Sequence, residues 1–261
     1  DALANNETAS NNTGLGHNAL KQNTTGIYNT AVGSGSLDAN TTGDYNAAVG
    51  TNTLTNSTTG SYNSTLGHGS LRDNTSGHSN VAVGAAAMQE NETGFYNVAI
   101  GGNALAQGTD KSYNTAVGNF ALSSNNANFN TGVGFSALKE NTSGTENVAV
   151  GQGAAQETTT GSSNVAVGKS ALRNNTTASN NTSVGSDALK ANTEANDNTA
   201  IGFRCLEAAT TGGNNTAIGR SSLILNTTGE QNTVLGAFAG DNITTGDNNI
   251  VIGYDVDASS A

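Results

Sequence analysis

The chain has 261 residues, of which 34% are hydrophobic, 5% aromatic and 11% charged, with no proline, no tryptophan and a formal net charge of −11. Its 20 acidic and 9 basic residues are scattered, so no basic stripe exists to hold a phosphate backbone, which argues against nucleic acid as a partner. No apolar run approaches the roughly 18 residues that a membrane-spanning helix needs, and disordered chains are usually charged and proline-rich, which this one is not.

The chain opens on Asp1-Ala2-Leu3, the x-A-L part of a unit that recurs to its end. It is therefore expected to start in mid-coil, with no visible signal peptide, as an uncapped segment of a longer fibre. Asparagine then stands four residues before every closing glycine of an N-x-x-(V/I/L)-G segment: Asn12, Asn29, Asn46, Asn63, Asn80, Asn97, Asn114, Asn130, Asn147, Asn164, Asn181, Asn198, Asn215, Asn232 and Asn249. The closing glycines, from Gly16 to Gly253, are 17 residues apart except between Gly118 and Gly134, where one residue is missing. Residues 1–261 read as one repeat domain with a one-residue deletion within 119–133.

With the closing glycine as slot 1, the unit reads G-x-x-A-L-x-x-N-T-T-G-x-x-N-T-A-V. The opening slots 3 to 6, with Leu at slot 5 (Leu20, Leu37, Leu54), suggest a short strand. N-T-T-G at slots 8 to 11 is a turn whose glycine is expected to supply a positive φ. Slots 14 to 17 form the clearer strand. Slot 17 is always Val, Ile or Leu and slot 15 mostly β-branched, while slot 16 is small, as in Ala116 and Ala149. A strand apolar on both faces is expected to be buried on both, with slot 16 towards a neighbouring chain.

Each coil holds only about three apolar side chains, so stability must come from coils above and below. The expected fold is all-β, a parallel β-solenoid (β-roll) of about fifteen 17-residue coils, and at ~4.8 Å per coil a rod of roughly 70 Å. The asparagine column is expected to be a structural ladder of amides bonded along the axis and to buried backbone.

Further features follow in chain order. Tyr28, Tyr45, Tyr62, Tyr96, Tyr113 and Phe129 all occupy slot 13, whereas Glu146, Ser163, Asn180, Asp197 and Asn214 stand there later. Packing against a neighbour is the expected role of these rings, and a displayed glycan-contact stripe the alternative. Gly168-Lys169-Ser170 matches the end of a phosphate loop, but Ser163 stands where that motif needs glycine. Cys205 fills a slot otherwise held by Ala188, Ser222 or Thr53 and reads as a small packed residue. His17, His68 and His78 are far apart with no recurring Asp or Cys partner, and Asp occupies changing slots, so neither catalysis, a cofactor nor a metal site is expected. N-x-(S/T) sequons at Asn6, Asn23, Asn40, Asn74, Asn91, Asn141 and Asn226 read as by-products of turn chemistry.

The run N-(V/T)-A-(V/I)-G followed by x-x-A, as in Asn97-Val98-Ala99-Ile100-Gly101 and Asn164-Val165-Ala166-Val167-Gly168, resembles the head repeats of YadA-like trimeric autotransporter adhesins. Arrays of N-T-A-V-G-x-x-A-L-x-x-N-T-T-G are also similar to those of phage tail fibres and other trimeric surface fibres. The resemblance implies a left-handed, homotrimeric β-roll in an extracellular fibre, on a cell surface or a virion, that meets host surface glycans or matrix. The 17-residue spacing departs from the shorter adhesin head repeat and implies a longer turn per coil. A non-enzymatic structural and adhesive fibre segment is thus the expected function, with no membrane span in this segment. Rows of threonine such as Thr25, Thr42 and Thr59 make an ice-binding solenoid the alternative.

Overall fold

A computed structural model describes residues 1–257. It is all-β, and none of the described residues is helical. Two compact units, Asp1–Phe129 and Asn130–Ala261, are built in the same way. The first holds seven strands of three residues, from Thr13–Leu15 to Thr115–Val117. The second holds eight, from Thr131–Val133 to Ile250–Ile252. Within each unit every strand pairs in parallel with the next coil's strand in strict register, as in Thr30↔Ala47 and Val165↔Thr182. Each unit is therefore a parallel β-solenoid, with one strand per coil occupying slots 15 to 17.

Backbone bonds between coils run all round the turn. Thr30 N–H donates to Asn46 O at 2.8 Å, Leu37 N–H to Thr53 O at 3.1 Å and Gly33 N–H to Leu15 O at 2.7 Å. The closing glycine is required there: Gly50 sits at φ 137° and a Cβ on it would lie 2.4 Å from Gly67 O.

Three expectations are corrected. Slots 3 to 6 are a turn, not a strand, and the reason lies in the core. Ser36 at slot 4 and Leu37 at slot 5 are both fully buried, whereas consecutive residues of a strand point to opposite faces. Leu37 achieves this by adopting φ 50°, as do Leu20 and Leu54 at 51°. A left-handed leucine is costly, of order 1–2 kcal/mol, and full burial of the side chain offsets that cost.

The turn glycine at slot 11 needs no positive φ. Its constraint is close approach, since a Cβ on Gly43 would lie 2.3 Å from Gly60 O and 2.5 Å from Asn40 Oδ1.

The strand faces the opposite way from the expectation. Slot 16 points into the coil's own core, where Ala48, Ala116 and Ala149 are completely buried, while slots 15 and 17 point out. The coil is thin: the slot 4 side chain lies directly across from slot 16, as Thr53 Oγ1 donating to Thr65 Oγ1 at 2.9 Å shows. Opposite the slot 5 side chain the space is limited, and slot 16 holds residues from Gly132 and Ala48 up to Val234.

The slot 13 rings lie on the surface of the chain. Within the chain they are exposed, 45% for Tyr45 and 59% for Tyr62.

Candidate functional site

Two columns of asparagine fill the polar half of the core. In the slot 14 column, Asn147 Oδ1 accepts from the Asn164 backbone N–H at 3.0 Å and Nδ2 at 3.1 Å, while Asn147 Nδ2 donates to Gly161 O at 2.8 Å. The pattern repeats through both units, for instance at Asn46, Asn63 and Asn80 and at Asn215 and Asn232. Sequence reasoning missed the second column, at slot 8. Asn40 Nδ2 donates to Asn23 Oδ1 at 2.7 Å and to Gly43 O at 3.1 Å. Asn29 Nδ2 reaches the same Gly43 O at 2.7 Å, so one carbonyl uses both lone pairs and the two columns are locked together. The signal was present in N-T-T-G, whose asparagine recurs in most coils and gives way to Ser57, Gly108, Thr158, Ala209 and Ile243 in the others. These bonds also account for the sequons: Asn23, Asn40, Asn74 and Asn141 are fully buried, with their Nδ2 atoms donating to turn carbonyls.

The coil that is one residue short keeps this scheme. Asn125 Nδ2 donates to Ala127 O, two residues on, at 2.7 Å, where full coils span three, and Asn114 Nδ2 meets the same carbonyl at 3.0 Å. The deletion is absorbed by a tighter turn in which Ala127 O replaces the glycine carbonyl.

Where the slot 8 column is broken, buried atoms are left over. Ala209 interrupts it, and on either side Asn192 Oδ1 and both amide atoms of Asn226 lack a partner. Cys205 is a packed core residue as expected, its thiol 3.1 Å from Ala217 O and pushed up to about 12 by burial, which removes thiolate reactivity.

The outer surface carries the features that can recognise something. In the first unit, the slot 13 residues sit at φ 54–61° in the bend that leads into the strand, and most of their rings stack at the coil spacing. Tyr28 and Tyr45, then Tyr45 and Tyr62, are stacked at 5.0 Å between ring centroids, and Tyr113 and Phe129 at 5.1 Å. Ser79 interrupts the column. His78 and Phe95, one slot earlier, stack on each other at 5.0 Å and each meets Tyr96 edge-on at 5.5 Å, widening the column there. Their adjacency in sequence to slot 13 was the signal for them.

Slot 17 of the outward strand face is aliphatic in both units, beside a slot 15 that is threonine in eight of the fifteen coils. Val49, Leu66 and Ile100 in the first unit and Val150, Ile201, Ile218 and Leu235 in the second are exposed, Leu66 by 51%. By contrast the threonine hydroxyls of slot 9 are committed, as Thr24 Oγ1 donating to Thr41 O at 3.0 Å illustrates, and Thr25, Thr42 and Thr59 lie in the exposed turn beside them. His17, His68 and His78 are not brought together with acids or thiols in any group of three or more metal-ligating side chains among the described residues. No helix among the described residues is long and apolar enough to cross a membrane.

Comparison with protein-family models, curated proteins and solved structures found no match. The functional reading therefore rests on the surface geometry.

Proposed function

We propose that this chain is a non-enzymatic segment of an extracellular fibre, on a cell surface or a virion, that assembles as a parallel homotrimer and presents a binding surface to host glycans or matrix. The observation that carries the proposal is the aliphatic row at slot 17, which is Val, Ile or Leu in every coil and turned outward. A repeated apolar row on a flat parallel strand face is a surface that needs cover. A second and third copy of the chain carry the same row at the same spacing, so identical coils can interlock within each unit. The sequence resemblance to YadA-like head repeats and tail-fibre arrays supports three chains rather than two.

The binding role is assigned to the stacked rings of Tyr28, Tyr45, Tyr62, Tyr96, Tyr113 and Phe129. Exposed aromatic faces offer large apolar area with a polar rim, suited to the mixed surface of a sugar. The test is retention on a panel of immobilised glycans and matrix proteins, comparing the native chain with Tyr45→Ala combined with Tyr62→Ala. Loss of binding at an unchanged melting temperature is expected. Equal binding by the double variant would remove the stripe from the proposal, and thermal hysteresis at micromolar protein would favour the ice-binding alternative instead.

A further inference from the structure

The second unit carries a basic groove on its surface. An open groove of about 330 Å³ crosses three successive coils there, lined by Phe135, Lys139, Gln152, Gln156, Lys169 and Arg173 around Gly153. Three of the chain's nine basic residues thus line one groove of a protein whose net charge is −11. We infer that this groove binds a short anionic saccharide, with Lys169 and Arg173 holding its carboxylate or sulfate.

The cations differ in availability. Lys139 Nζ is 2.6 Å from Glu140 Oε1 and is spent on that carboxylate. Glu157 is engaged by Gln156 Nε2 at 2.9 Å. Lys169 and Arg173 make no ion pair among the described residues. They stand at slots 2 and 6 of one coil, within the turn that follows its strand, and both line the groove. An ammonium and a guanidinium so placed suit one carboxylate or sulfate, which the planar guanidinium fork can take by two parallel bonds. The groove's size falls at the small end of small-molecule sites, on the order of 300–1,000 Å³.

The rest of the lining argues for a sugar over a bare anion. Gln152 and Gln156, one coil away from the charges, offer amide donors and acceptors that match hydroxyl groups. Phe135, one coil further, is 53% exposed and presents an apolar ring of the kind that covers the C–H face of a pyranose. From charge to ring the groove spans two coil steps, roughly 10 Å, the length of a disaccharide. Gly153 keeps the floor open: it sits at φ 63°, and even a Cβ would lie 3.2 Å from Gln156 Oε1. A long polyanion such as nucleic acid would meet the chain's overall negative field, whereas a short ligand with one or two charges would not. The lining comes from the turn that follows the strand, so the groove does not use the slot 15 and 17 face, and it can be tested whatever the oligomeric state.

The experiment is calorimetric titration of the full chain with four probes: a uronic-acid disaccharide, a sulfated neutral disaccharide, the unmodified neutral disaccharide and inorganic sulfate. One or both acidic disaccharides should bind, and which one does identifies the anion. The neutral sugar and sulfate alone should bind at least about tenfold more weakly. Lys169→Gln with Arg173→Gln should abolish the preference for the acidic sugar at an unchanged melting temperature. Lys190→Gln, whose parent ammonium is paired with Asp187, should leave it intact. Binding of all sugars alike, binding of sulfate as tight as that of the saccharide, absence of binding at millimolar concentrations, or indifference to the double substitution would each overturn the inference.

Discussion

The break in the slot 8 column at Ala209 can be repaired, and the outcome is calculable from the structure. Asn192 Oδ1 and Asn226 Nδ2 are buried and unpartnered, one coil to either side of Ala209, which has no amide. An asparagine at position 209 would donate its Nδ2 to Asn192 Oδ1 and accept from Asn226 Nδ2, as Asn192 already does towards Asn175 Oδ1 at 3.2 Å. Satisfying two buried orphans is worth about 0.5–1.5 kcal/mol each as net hydrogen bonds, against a side-chain entropy cost smaller than that sum. Ala209→Asn should therefore stabilise the protein by about 1–2 kcal/mol, where an ordinary alanine replacement in a buried site destabilises. Urea denaturation followed by circular dichroism reads this as a higher midpoint with unchanged slope. A lower midpoint would mean that the interior at slot 8 cannot accept the amide and that the column is not a continuous hydrogen-bonded ladder.

The slot 14 column gives a paired comparison: Asn147→Ala orphans both the Asn164 N–H and the Gly161 carbonyl, whereas Asn164→Ala orphans the Asn181 N–H but leaves Ala178 O its bond from Asn175. The first should cost about 2–5 kcal/mol and the second about 1–3, and urea midpoints in which both match the exposed control Glu146→Ala would show the column to be solvated. Ala149→Glu places a carboxylate in the coil's own core and should unfold the chain, while Val150→Glu, on the outward face, should leave circular dichroism unchanged and reduce the solution mass to that of one chain. The Cys205 thiol, raised by burial from 9.0 to about 12, stays protonated in the folded state while the unfolded thiol ionises above its ordinary value. Its contribution to stability is thus complete below about pH 9 and is lost between there and about pH 12. Labelling of Cys205 at pH 8 should accordingly follow unfolding, and rapid labelling of the native chain would contradict its burial.

Much of the fold was legible because repetition multiplies weak signals. A single N-x-A-V-G is ambiguous, but fifteen asparagines in one slot, each one coil apart, leave a parallel solenoid as the economical reading. What periodicity could not give was direction. Slots 15 to 17 alternate as a strand must, yet both Ala149 and Val150 are apolar, so the pattern alone could not say which lines the interior. The answer depended on coil thickness, set by Leu138 and its equivalents at a positive φ that no propensity scale assigns to leucine. The same left-handed leucines hid the turn at slots 3 to 6, which reads as a strand if each residue is assumed to take its usual conformation. Of the candidate surfaces, the slot 13 column was visible as a row of rings, but its exposure was not. The groove at Lys169 and Arg173 has no periodic signature, because it arises where three coils happen to differ from their neighbours.

The claim at the centre of this account is that the outward aliphatic row is covered by two further copies of the chain. The direct measurement is the mass of the unmodified protein in solution by multi-angle light scattering at micromolar concentration. A particle of three times the 26.0 kDa chain, with the circular dichroism of a β-protein, is the predicted result. An ordered, monodisperse species of 26.0 kDa would contradict it.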